Sequence, residues 1–213
     1  MNHDYILLDR SGSMKDAGKW TDSVNAINGY VKGLAERKVD TGATLAIFDK
    51  PGGEAGMRFE IVRDRIVPST WRNVTQDEYV PYGWTPLNEA LLRIIEIANR
   101  AGHTNSDHVA IIVLTDGMEN ASDIKATRAE AKKALDACRA RGWEVIFIGA
   151  NFDNWSQAES YGSLRASQYA SASANLGNTM GVMSVNRASK VAGQSVSMDF
   201  TNEQKAQLDQ TNK

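Results

Sequence analysis

The sequence predicts an α/β fold: a doubly wound, mainly parallel six-stranded sheet with one antiparallel edge strand and helices on both faces. Three observations lead there. Continuous apolar runs at 5–8, 109–116 and 143–150 lack polar alternation, the mark of strands buried on both faces. Between them lie stretches whose apolar residues recur three and four apart, as on one face of a helix. The connections are too long for hairpins, so these strands run parallel through helical crossovers.

Taken in order, Tyr5–Leu8 forms the first strand and Asp9 ends it. Trp20, Val24, Ile27, Val31 and Leu34 then share a helix face that closes near Arg37. "TLAIFDK" at 44–50 and "MRFEIVRDRIV" at 57–67 are β-rich and joined through Pro51, Gly52 and Gly53, which predicts an antiparallel hairpin. Phe59 and Ile61 alternate with Arg58 and Glu60, so the second arm has one exposed face, as at a sheet edge. Residues 68–85 show no period and read as a long surface loop. Leu87, Leu91, Ile94 and Ala98 mark a helix over 86–101, with Pro86 at its first position and Thr85 as its N-cap. A third helix spans 124–142 and closes at Gly142. A short strand is expected around Gln168–Ala172, and a last core helix over 175–194 with Leu176, Met180, Met183 and Val191 on its buried stripe.

With 213 residues, one domain is the expectation, placed at 1–198, followed by a polar tail at 199–213 in which Thr201 and Gln204 are spaced to cap a short helix. The formal net charge of -2, with Lys and Arg spread along the chain, argues against nucleic acid and against an anionic membrane as partner. No stretch approaches the ~20 apolar residues of a membrane span. The three residues before Asp4 are too few for a signal peptide, and the single cysteine, Cys138, sits in an Ala-rich helical pattern. The expected address is therefore the cytoplasm, and the expected role of Cys138 is packing. His3, His103 and His108 have no ligand spacing and are expected in surface or packing roles.

The chemistry concentrates where the strands stop. Ligands of open parallel sheets bind outside the carboxyl ends of the strands, near the point where strand order reverses. Asp9 and Asp116 both lie at such ends. If their strands are neighbours, these carboxylates meet Ser11, Ser13 and Thr85 in one crevice. All five are hard oxygen donors, which suit Mg²⁺ or Mn²⁺. Hydroxyls in direct contact with the ion and acids held through water would keep it electrophilic, so that a carboxylate from outside completes its shell. Glu119 and Asn120 are nearby but are expected to be solvated or to cap the next helix. Tyr79, Tyr82, Trp84, Met118, Phe152 and Trp155 fall in loops around the crevice, where an interface role and a loop-pinning role weigh equally.

"DRSGSM" at 9–14, "GWTPLNEAL" at 83–91 and "LTDGMENAS" at 114–122 together resemble the three-part metal-ion-dependent adhesion site of von Willebrand factor A domains, over roughly Asp4 to Asp153. The resemblance implies Ser11 and Ser13 as direct ligands, Thr85 as a direct or water-separated one, and Asp9 and Asp116 mostly acting through water. It implies a binding module without enzymatic activity, whose protein partner supplies an Asp or Glu. Without secretory context, the chain resembles the free-standing intracellular bacterial or phage type. Such members often work beside ATP-driven assemblies, which makes an ATPase-associated complex a candidate setting. The chain has no Gly-x-x-x-x-Gly-Lys-Ser/Thr loop of its own.

Two rivals compete with this reading. A phosphatase or phosphotransferase of the haloacid dehalogenase type also begins with a strand ending in Asp and uses Mg²⁺, but needs a second carboxylate two residues later. This chain has Ser11 there. A structural subunit with a permanently filled metal site would share the ligand pattern and differ only in what metal removal does to association.

Overall fold

The computed structural model describes residues 1–149, 161, 169–171 and 176–210. Among these residues six strands form one sheet: β1 (His3–Asp9), β2 (Gly42–Asp49), β3 (Arg58–Ile66), β4 (Val109–Thr115), β5 (Glu144–Gly149) and β6 (Tyr169–Ser171). Their spatial order is β3-β2-β1-β4-β5-β6. The β2–β3 pairing is antiparallel; β1 pairs in parallel with both β2 and β4, and β4–β5 and β5–β6 are parallel too. The chain therefore builds outward from β1 to the β3 edge, then crosses back to lay β4 on the other side of β1. That reversal opens a crevice between the carboxyl ends of β1 and β4.

Alternation along each strand explains why the apolar runs are continuous. In β1, Ile6 and Leu8 face one core with Ile47, Ile112 and Leu114, while Tyr5 and Leu7 face the other with Phe48, Ile111 and Val113. The first core is covered by α1 (Lys19–Glu36) and the second by α2 (Leu87–Arg100) and α3 (Arg128–Ala140). All five residues predicted for the α1 face and all four for the α2 face are buried. Cys138 is buried in the α3 side of the core, where desolvation raises its thiol above the ordinary value.

Several boundaries depart from the sequence reading for identifiable reasons. The third helix begins at Arg128 rather than 124, because Thr127 and Glu130 form a reciprocal capping box that fixes its start. Thr85 is not the N-cap of α2; Pro86 holds that position, with no side-chain cap bond, so the Thr85 side chain is not spent on the helix. In β3, Phe59 packs against the core but Ile61 is exposed, and a register shift interrupts the β2–β3 pairing beyond it. The surface stretch 68–85 is ordered by turns, with Trp71 and Tyr79 packed against the first core.

The last core helix is α4 (Leu176–Val191). Leu176, Met180 and Met183 are buried as expected, but Val191 is only partly so, and the largest fully buried side chain of this helix is Arg187. Thr201 and Gln204 exchange the two bonds of a capping box at the start of α5 (Asn202–Gln210). From this segment Phe200 and Leu208 enter the first core. Among the described residues no helix is long and apolar enough to cross a membrane.

Candidate metal centre

Asp9 ends β1 fully buried. One carboxylate oxygen accepts the Ser11 backbone N–H at 2.7 Å, and the other accepts the hydroxyl of Thr115, the last residue of β4, at 2.7 Å. Burial pushes the Asp9 carboxyl up to about 6; the hydrogen bonds from Thr115 and Ser11 pull it down, and the nearby Asp116 charge raises it. After Asp9 the chain enters a tight helical turn over Gly12–Gly18, broken at Asp16 and Ala17, with Met14 driven into the core as its anchor. This curl sets the Ser11 and Ser13 hydroxyl oxygens 3.2 Å apart. Ser13 Oγ then donates to Asp116 Oδ1 at 2.7 Å.

A second loop lies across the first. Gly12 N–H donates to Gly83 O at 2.9 Å and Tyr82 N–H to Arg10 O at 2.8 Å, while Trp84 and Lys50 exchange backbone bonds. Gly83 is required here: its φ is +84°, and a Cβ would lie 2.3 Å from Lys50 O. This bracing carries Thr85, buried, to the third loop. A Cβ placed on Gly117 would sit 2.9 Å from Thr85 Oγ1 and 3.6 Å from Asp9 Oδ2. Glycine at 117 thus leaves the gap that those two oxygens border.

The third loop is held by residues that the sequence reading set aside. Asn120 pairs with Thr85 through both its side chain and its backbone N–H. Glu119 caps α2, the preceding helix, rather than the next one: it accepts the backbone N–H of Asn88 at 2.7 Å, and also those of Ala121 and Ser122. Asp49, the acid ending β2, is held by Arg10 and Arg58 instead and stays out of the group.

The five predicted residues thus converge at the β1–β4 crevice. A family model for the von Willebrand factor type A domain matches residues 5–182. The chain belongs to the von Willebrand factor type A family. Among solved structures, it is similar to manganese-loaded TRAP of Plasmodium vivax, with a TM-score of 0.58 and 18% identity over 80% of this chain and 67% of that one. It is also similar to the pilus adhesin SpaC of Lactobacillus rhamnosus GG in its open conformation, with a TM-score of 0.61 and 14% identity over 89% of this chain and 30% of the adhesin. A von Willebrand factor type A protein from Catenulispora acidiphila gives a TM-score of 0.55 and 16% identity over 88% of this chain and 42% of that one. The chain therefore spans less than half of the latter two. No curated protein sequence matches it.

In this von Willebrand factor type A domain the donor set fits a small hard cation. Two carboxylates and three hydroxyls surround the crevice, with no nitrogen or sulfur among them, and the glycine at 117 leaves space where a side chain would intrude. Among the described residues no three His, Cys, Asp or Glu side chains cluster as a metal site, so a cation here would depend on the hydroxyls as well as the acids. Around the crevice loops, Tyr82, Trp84 and Met118 are 52%, 57% and 60% exposed. Tyr79 instead pins its loop to the core, and Phe152 and Trp155 lie outside the described residues. Two residues of the centre had no place in the sequence reading. Thr115 was hidden as the last residue of an apolar strand. Lys19, whose Nζ donates to Asp116 Oδ2 at 2.6 Å, opens α1, where the dipole disfavours a cation, and no motif in the sequence points to it.

Proposed function

We propose that this domain is a non-enzymatic interaction module that grips an acidic side chain of a protein partner through a divalent cation, Mg²⁺ or Mn²⁺, at a metal-ion-dependent adhesion site. The observation that carries the reading is the convergence of Ser11, Ser13, Thr85, Asp9 and Asp116 at the strand-order reversal. Ser11, Ser13 and Thr85 would hold the cation and Asp9 and Asp116 would balance its charge, mostly through water. When bound, the cation supplies an electrophilic contact for a carboxylate. Ser13 is exposed, which leaves that side of the site open to a partner, while the buried Asp9 and Ser11 form its floor. The exposed Tyr82, Trp84 and Met118 offer apolar contact area beside it. The manganese held by TRAP supports a divalent cation in this fold.

The proposed setting is a free-standing cytoplasmic protein of bacterial or phage type, with a partner in an ATPase-associated complex as the first place to look. Selection of a random peptide library on Mg²⁺-loaded protein tests the function. Enriched peptides should carry Asp or Glu and should elute in EDTA. Peptides that lack an acid, or that stay bound in EDTA, would contradict it.

A further inference from the structure

Lys19 Nζ lies 2.6 Å from Asp116 Oδ2, while Ser13 occupies the other oxygen of the same carboxylate. The Asp116 side chain has no exposed area and that of Lys19 is 16% exposed, so this ion pair is largely shielded from solvent. Local structure around Lys19 is unfavourable in two ways. As the first residue of α1 it places an ammonium at the positive end of the helix dipole. The turn that delivers it puts Ala17, a non-glycine residue, at φ +49°, and Gly18 follows as an N-cap with no side-chain bond. The ion pair with Asp116 is what this arrangement gains.

We infer that Lys19 is the resting counter-cation of the metal centre, occupying Asp116 until a divalent cation displaces it. This rests on the metal-binding reading above. Without Lys19, Asp9 and Asp116 would present two carboxylates in one crevice with no cation between them. With it, an incoming ion must break a shielded ion pair before it gains the full charge of Asp116. The release needs no backbone movement, because the flexible four-carbon stem of lysine lets its ammonium swing to solvent. Lys19 therefore lowers metal affinity and stabilises the metal-free domain.

Calorimetric titration of Mn²⁺ into chelator-stripped wild type, Lys19→Met, Lys19→Gln and Lys19→Arg tests this, together with melting in EDTA. Removing a shielded opposing charge should tighten Mn²⁺ binding by about tenfold or more in Lys19→Met and Lys19→Gln. Lys19→Arg, which keeps the charge, should bind like wild type. In EDTA, Lys19→Met should melt below wild type, and saturating Mn²⁺ should narrow that gap. Equal or weaker Mn²⁺ binding by both neutral variants would overturn the role of Lys19 while leaving the metal site standing. Absence of Mn²⁺ binding in all four proteins would overturn the metal reading and this inference with it.

Discussion

Thr115 Oγ1 donates a 2.7 Å hydrogen bond to Asp9 Oδ2, joining the ends of two parallel strands 106 residues apart in sequence. The same hydroxyl accepts the Gly117 backbone N–H at 3.2 Å, so one small side chain orients the buried acid and starts the turn after β4. Thr115→Val keeps the shape and removes both bonds. The expected cost is about 1–3 kcal/mol, since a buried carboxylate loses a partner. Urea unfolding should show this as a lower midpoint with an unchanged slope. The Asp9 carboxyl should also titrate higher in this variant than in wild type when followed by carbon NMR, since the Thr115 hydrogen bond pulls it down.

Glu119 ties the third loop of the site to the start of α2 through Asn88, Ala121 and Ser122, whose hydroxyl also donates to it at 2.7 Å. Glu119→Ala should cost about 2 kcal/mol, since it removes a helix cap and several charge-assisted bonds at once. Hydrogen exchange should quicken at Asn88 and Ser122 before it quickens in the strands. Unchanged exchange at those amides would show that the cap is dispensable.

At the opposite end of the sheet, Arg187 and Asp4 form a fully buried pair with Nη2 2.5 Å from Oδ1. Arg187 also donates to His108 O at 2.8 Å, and Tyr30 donates to Asp4 Oδ2 at 2.9 Å. Burial raises the Asp4 carboxyl, and the Arg187 charge opposes that rise. Arg187→Met leaves the acid without its cation and should cost about 3–5 kcal/mol at neutral pH. Adding Asp4→Asn to that variant should recover part of the loss, a coupling that a double-mutant cycle measures directly.

The strands, both helix faces and the acids at the ends of the first and fourth strands were legible in the sequence because each rests on a local pattern, whereas the order of the strands in the sheet was not. A continuous apolar run, a three-four spacing or an acid at a strand end is visible in a window of ten residues. Arg187 was not legible. On a helix it reads as a surface cation, and only the packing of α4 beneath β1 and β4 brings it to Asp4 and His108. Glu119 was assigned to the wrong helix for a similar reason. Its capping target lies 31 residues upstream, and that closeness is a product of the crossover from β3 through α2 to β4. Thr85 shows the reverse case: local capping preference pointed to a role that Pro86 takes, and the hydroxyl is left at the crevice.

His3 is buried with Nε2 2.8 Å from Thr44 Oγ1, and desolvation, reinforced by the cations and His103 around it, lowers its pKa from 6.5 to about 3. The folded state therefore refuses a proton that the unfolded chain accepts between those values. Above pH 6.5 both states are neutral and His3 has no pH effect. As pH falls below 6.5 toward 3, its contribution to stability declines with a slope approaching about 1.4 kcal/mol per pH unit. Denaturant titrations at pH 7, 6 and 5 should show a shallower decline in His3→Gln than in wild type. Parallel declines would show that His3 does not carry this linkage.

The central claim is that Ser11, Ser13, Thr85, Asp9 and Asp116 act together to hold a divalent cation. The most direct test is the melting temperature of wild type, Ser13→Ala and Asp116→Ala in EDTA and in millimolar Mn²⁺. An ion present at a hundred times its dissociation constant adds about 2.7 kcal/mol, a rise of roughly 5–10 °C for a chain of this size. The account predicts that rise in wild type and its loss in both variants. A wild-type melting temperature that Mn²⁺ leaves unchanged, or an equal rise in all three proteins, would contradict it.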